Sequence, residues 1–192
     1  MSKVEQNRMI KKRAILASAR LVFLQEGFTS AKMDDIASEA GVTKQTLYRY
    51  YASKPILFEA TLKSIGEEFD EKHTHCLSHS DTDIALLKFA IHFMEFHLSP
   101  DHLAIQRLLI SEANNIPDQI EAFMKIGPDD ELAIRAFFNE RFNADISDIK
   151  IDLWFGMLLA PRSKALLGSP MMSRQAIEYH AKEAIDMLLS SI

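Results

Sequence analysis

One cysteine in 192 residues, Cys76, excludes an internal disulfide framework and fits a reducing compartment. No apolar run approaches the roughly eighteen residues that cross a bilayer. The opening stretch MSKVEQNRMIKKR also lacks the apolar segment of a signal peptide, so a cytoplasmic location is expected. Sustained period-two alternation between turn signals is missing too, and no strand is expected. There is no internal repeat and no low-complexity tract. A nucleotide-binding glycine loop, a nucleophile motif and an HExxH metal motif are all absent, which leaves catalysis without support, and no cofactor is expected. What the chain does have is 47% apolar residues, enough for a real core, spaced with helical periodicity. An all-α protein is expected.

The net charge of −5 hides a segregation. Residues 1–54 carry ten Lys/Arg against five Asp/Glu, and the remainder carries twelve against twenty-two. A basic end beside an acidic body suggests that the first faces a polyanion while the second maintains solubility.

Punctuation by Gly and Pro divides the chain into helices. The first is expected from about Asn7 to Glu26, with Ile10, Ala14, Ala17, Leu21 and Leu24 on its apolar stripe and Gly27 as its stop. A short second helix covers Met33 to Ala40, with Ile36 and Ala37 inward and Asp34 and Asp35 in its first turn, where the helix dipole favours them. Gly41 ends it. A third runs from the N-cap Thr43 to about Tyr51, with Leu47 and Tyr51 turned to the core. Ser53 caps a long fourth helix from Lys54 to about His75, and Pro55 is tolerated in its first turn. Further helices are expected at 82–98, 101–115, 118–126, 129–143, 147–168 and 173–190. Two of these, IALLKFAIHFMEFHL and LAIQRLLISEA, are apolar nearly all round and should be central.

The stretch TKQTLYRYYASK, residues 43–54, offers hydrogen-bonding groups in every direction and little for a core. A short helix, a glycine turn and a second helix of this kind make a helix-turn-helix. Lys, Arg, Thr, Tyr and Gln suit a helix lying in the major groove, where phosphates form the walls and base edges the floor. The segments AILASARLVFLQEGF, MDDIASEAGVTKQTLYRYY and SKPILFEA resemble the TetR-type transcriptional regulators, through a long GVxxxTLYxYYxSKxxLF core. RLLISEANNIPDQIEAFMKIGP and DLWFGMLLAPRSKALLG further on resemble the AefR-like branch. The resemblance implies a helix-turn-helix DNA-binding domain at 1–53 and a helical ligand-binding and dimerisation domain at 54–192. It also implies a homodimer on a palindromic operator, most simply a repressor released by a small, largely apolar effector.

By position in that pattern, Thr43, Lys44, Gln45, Thr46 and Arg49 match residues that meet bases or adjacent phosphates, and Tyr48, Tyr50 and Lys54 match phosphate contacts. Ala31-Lys32 stands where the family commonly has Thr-Ser, which leaves either Ser30 as the cap or Lys32 as a backbone contact. Arg8, Lys11, Lys12 and Arg13 either touch flanking DNA or form a solvated terminus. Dimerisation is expected through 149–168 and 173–190, by way of Leu153, Gly156, Met157, Ala160, Ile177, Ala181, Ala184 and Leu188. For an effector cavity the candidates are Phe89, Phe93, Phe96, Leu108, Phe123, Phe137, Trp154 and Met157, with His92, His97 and Arg107 as polar groups; a fully packed core is the alternative. Glu71, His75, Cys76 and His79 share helical spacing suited to a metal, although a solvated helix end explains them as well. Glu112, like Arg107, interrupts an apolar run and needs a partner if buried.

Overall fold

The computed structural model describes residues 2–124, 130–142 and 146–190, without the side chains of 66–74 and 122–124. The elements in chain order are α1 (Lys3–Ser30), α2 (Met33–Glu39), α3 (Lys44–Tyr50), α4 (Lys54–His73), a 3₁₀ turn (Thr74–Ser78), α5 (Thr82–His97), α6 (Pro100–Glu112), α7 (Pro117–Met124), α8 (Asp130–Phe142), α9 (Asp148–Leu158), α10 (Arg162–Leu166) and α11 (Arg174–Leu189). No strand occurs among the described residues. Two compact units form, Met1–Glu67 with Ala104–Gly127, and Glu68–Leu103 with Pro128–Ile192.

In the first unit α1 packs on α2 and α2 on α3. The buried face of α1 is Ile15, Ser18, Ala19, Val22 and Phe23, whereas Ile10 and Leu21 of the expected stripe are 64% and 51% exposed. Both sets follow helical spacing. The one that wins carries the bulkiest group, Phe23, which meets Phe58 edge-on with ring centroids 4.9 Å apart, while Phe28 beyond the break lies equally close to Phe58. Gly27 breaks α1 at φ 79°, and a short turn continues to Ser30. Lys32 takes the N-cap position of α2 without any side-chain bond, and Ser30 contributes no cap. Ile36 and Ala37 point inward as expected, and Gly41, at φ 62°, makes the turn. Thr43 caps α3 by accepting from Thr46 N–H at 3.1 Å.

In the second unit α5 is the centre. Ala85, Leu86, Phe89, Ala90, Ile91, Phe93 and Met94 are buried on it, and α11 packs against both α5 and α9. Asp81 caps α5 and Ser173 caps α11. The single helix expected over 147–168 is divided into α9 and α10. Pro161 has no N–H to continue the ladder and sits at the N-cap of α10. The end of α8 is tied to the 3₁₀ turn by Arg141, whose guanidinium donates to the carbonyls of Ser80 at 3.0 Å and His79 at 2.9 Å.

Candidate functional site

On α3 only Leu47 is buried; Lys44, Gln45, Tyr48 and Arg49 are exposed on one continuous face, with Thr46 and Tyr50 half-buried at its margins. A seven-residue helix that buries one side chain is held by its caps and its neighbours, not by its own burial. The four outward residues occupy positions i, i+1, i+4 and i+5, the set that one helix presents to one groove. Lys44 is paired with Asp34 of α2 at 2.8 Å across an exposed surface, which raises its pKa through that hydrogen bond. Exposed pairs of this kind are weak, so the ammonium is easily transferred to a phosphate. Lys32 is exposed beside α2.

Lys54 differs from the expectation. Its ammonium donates to the carbonyls of Phe28 at 2.7 Å, Thr29 at 3.0 Å and Ala31 at 2.9 Å, and lies 4.8 Å from the Phe28 ring centroid. Helix C-termini leave carbonyls without partners and present a negative dipole end. All three of its donors are thereby used on the corner between α1 and α2. Lys54 positions the helix-turn-helix from within.

The same corner is held from the other side by Glu112 at the end of α6, within the first unit. Its carboxylate accepts from Thr29 N–H at 3.0 Å, Thr29 Oγ1 at 2.6 Å and Asn115 Nδ2 at 2.9 Å, and these bonds hold its pKa below the usual carboxylate value. A Cβ at Gly27 would stand 2.8 Å from Glu112 Oε1, so the glycine serves close approach as well as positive φ. The sequence marked Glu112 as a charge needing a partner, but Thr29 lies 83 residues away and no local spacing points to it. Glu112→Ala is expected to lower stability by about 1–3 kcal/mol, because charged hydrogen bonds are lost and a backbone N–H is stranded. Since the folded carboxyl has the lower pKa, its contribution is full above the ordinary 4.5 and is lost as pH falls through the folded value. Melting curves of both proteins between pH 3 and 7 should therefore converge at the acid end.

The aromatic candidates of the second unit partly come together. Phe89 stacks on Trp154 at 6.0 Å and on Phe93 at 6.1 Å, with interplanar angles near 20°, and Phe155 lies 4.8 Å from Phe93. Trp154 is fully buried and its Nε1–H has no hydrogen-bond partner. His97 lies against Phe93 with ring centroids 4.3 Å apart and planes tilted by 55°, and meets His102 through ring nitrogens 3.2 Å apart, with half-buried Phe96 against both. His92 does not join this group. It is exposed and pairs with Cys76 Sγ at 3.2 Å, because the α5 face it occupies is turned to the 3₁₀ turn. Arg107 is exposed, and it and Leu108 fall in the first unit. Phe137 packs with Phe138 and Phe142 under Arg141. The side chain of Phe123 lies outside the described residues. A 110 Å³ cleft beside Leu98, Ala165 and Met172 is below the size of a typical ligand pocket.

Among the described residues Cys76 has the imidazole of His92 beside it, and burial pushes its thiol pKa up. His79 instead accepts from Asp81 N–H at 3.1 Å, His75 is exposed, and the Glu71 side chain lies outside the described residues.

The dimerisation candidates separate by helix. Leu153 and Gly156 of α9, and Ala160 just beyond its end, are exposed and Met157 is half-buried, with Ile149 extending the same face. Ile177, Ala181, Ala184 and Leu188 of α11 are buried within their own chain against α5 and α9, and so are unavailable to a partner. Both faces of α11 follow helical spacing, and the sequence did not show which one the chain covers itself. The outward face holds Tyr179 and Met187, at 69% and 60% exposure. His180 Nε2–H donates to the carbonyl of Met157 at 2.7 Å and joins the two helices.

With this geometry in hand, the similarities fall into place. Residues 15–61 match the pattern of bacterial regulatory proteins of the tetR family, and residues 84–144 match the C-terminal domain of AefR-like transcriptional repressors. RutR, an HTH-type transcriptional regulator of Escherichia coli, is 44% identical over 55 residues, which is 29% of this chain and 26% of RutR. The chain thus matches only about a quarter of that curated relative. A TetR-family transcriptional regulator from Mesorhizobium loti superposes with a TM-score of 0.81 over 100% of this chain and 98% of its own, at 23% identity. The structure of the flavonoid-responsive regulator FrrA gives a TM-score of 0.74 over 94% and 96%, at 25% identity. No helix among the described residues is long and apolar enough to cross a membrane. The two family patterns together cover more than half of the chain, and with the helix-turn-helix geometry they place it in the TetR family of DNA-binding transcriptional regulators, not among enzymes.

Proposed function

We propose that the protein is a homodimeric repressor that reads a palindromic operator through α3 and leaves it when a small, largely apolar effector binds the second unit. The outward face of α3, four polar side chains against a single buried leucine, carries this reading. Gln45 and Arg49 supply the bidentate groups that read adenine and guanine edges, while Thr43, Thr46, Tyr48 and Tyr50 set register on phosphates. Gln45→Ala and Arg49→Ala are expected to change which bases are preferred, at about 1–3 kcal/mol for each good base contact. DNA selection with each variant tests this, and unchanged preferences in both would move the reading surface off α3.

The effector reading rests on the nearly parallel rings of Phe89, Phe93 and Trp154 and on the Trp154 N–H left without a partner. Opening of this closed cluster would present an aromatic surface and one donor to a planar aromatic ligand, and FrrA, described as flavonoid-responsive, shares the fold. Ligand binding changes DNA affinity only through a difference in its affinity for the two states. Trp154 is the sole tryptophan, so its fluorescence reports binding directly. Planar aromatic compounds are expected to quench it and release operator DNA over the same concentration range; quenching without release would separate ligand binding from the switch.

A further inference from the structure

The first four turns of α1 present an anomaly. A capping box starts the helix, with Ser2 Oγ accepting from Glu5 N–H and Glu5 accepting from Ser2 N–H at 2.8 Å, yet every residue from Ser2 to Ala14 is exposed. Val4 and Ile10 are 77% and 64% exposed, so nothing in the chain rewards this extension by burial. Arg8, Lys11 and Lys12 lie at i, i+3 and i+4 on one face, where like charges repel. Beside that face runs the C-terminal half of α3, and between them is a cleft of about 610 Å³ whose walls include these three cations, Arg49 and Tyr50. Tyr51, 95% buried, also lines it. The cleft therefore gathers four cations, Arg8, Lys11, Lys12 and Arg49, with no carboxylate against them among the described residues, and its wall is shared with the DNA-reading helix.

We propose that this cleft seats phosphates of the DNA backbone lying beyond the base pairs read by α3, so that the start of α1 clamps the flank of the operator. The proposal rests on the reading of α3 as the DNA-reading helix. Continuity through Arg49 favours DNA over a separate polyanion, because one duplex can run from the α3 face into the cleft. Phosphate contacts of this kind carry no sequence information and act through counterion release.

The test uses the full-length protein and two duplexes carrying its selected operator, one ending at the last selected base pair and one longer by five base pairs at each end. Wild type is expected to bind the longer duplex at least tenfold more tightly at low salt. In Lys11→Ala/Lys12→Ala that advantage disappears, the slope of log affinity against log salt on the longer duplex falls by about two per subunit, and affinity for the shorter duplex stays within twofold. Arg8→Ala, at an exposed position on the same wall, should weaken only the longer duplex, by three- to tenfold. Wild-type affinity for the longer duplex in either variant overturns the proposal, as does an equal loss on both duplexes. If wild type retains no DNA sequence at all, the reading of α3 fails and the cleft falls with it; if wild type binds its operator and the variants match it, only the cleft is wrong.

Discussion

Leu153→Arg and Gly156→Arg are each expected to yield a folded monomer that has lost operator binding by a factor of at least about a hundred. Leu153 is 63% exposed and a side chain at Gly156 would meet nothing within 4 Å, so neither change disturbs the chain's own packing. Glycine inside a helix is about 1 kcal/mol worse than alanine, and the subunit alone gives no reason to keep it. A partner helix approaching closely would. With Ile149, Ala160, Tyr179 and Met187 this face is broad enough for two helices to meet their symmetry mates as a four-helix bundle. An arginine there is buried without a counter-charge on association. The loss in DNA affinity follows because two linked reading helices gain roughly 10²–10⁴ over one. Sedimentation, thermal melting and DNA titration check the three parts; a variant that stays dimeric and binds normally puts the interface elsewhere.

Ala184→Arg is expected to behave differently and to have the larger effect on stability. Ala184 is 4% exposed, in the same core as Ala181, Ile185, Phe89 and Trp154. A long cation there overpacks the site and buries an unpaired charge, two mechanisms that together exceed about 4 kcal/mol. The expected result is a second unit that melts far below wild type or does not accumulate, not a clean monomer. A soluble monomer with a wild-type melting temperature would show that α11 is packed the other way round.

The contrast between these two helices shows what could be read beforehand. The helix-turn-helix was legible because its signals are local: Thr43 caps at three residues' distance, Gly41 turns the chain, and one leucine among polar side chains fixes which face is inside. Faces were less legible where two stripes compete, as on α1 and α11, because helical spacing gives a period and not a phase. Partners distant in sequence left only indirect marks. Glu112 was visible as a charge in an apolar run, but its bond to Thr29 was not, and Lys54 was placed on a phosphate by position in a pattern when its ammonium had three carbonyls to hold. His92 failed as a cavity residue for a similar reason: an apolar helix still has an outer face, and its neighbour there is Cys76.

The most direct test is to incubate the purified protein with random duplexes and sequence those it retains. An inverted repeat is expected, with half-site centres about 10 base pairs apart, or a multiple of that, since a two-fold dimer sets its two recognition helices about 34 Å apart in successive major grooves. Enrichment of a lone half-site, of a direct repeat, or of no sequence at all would contradict a dimer that reads DNA through α3.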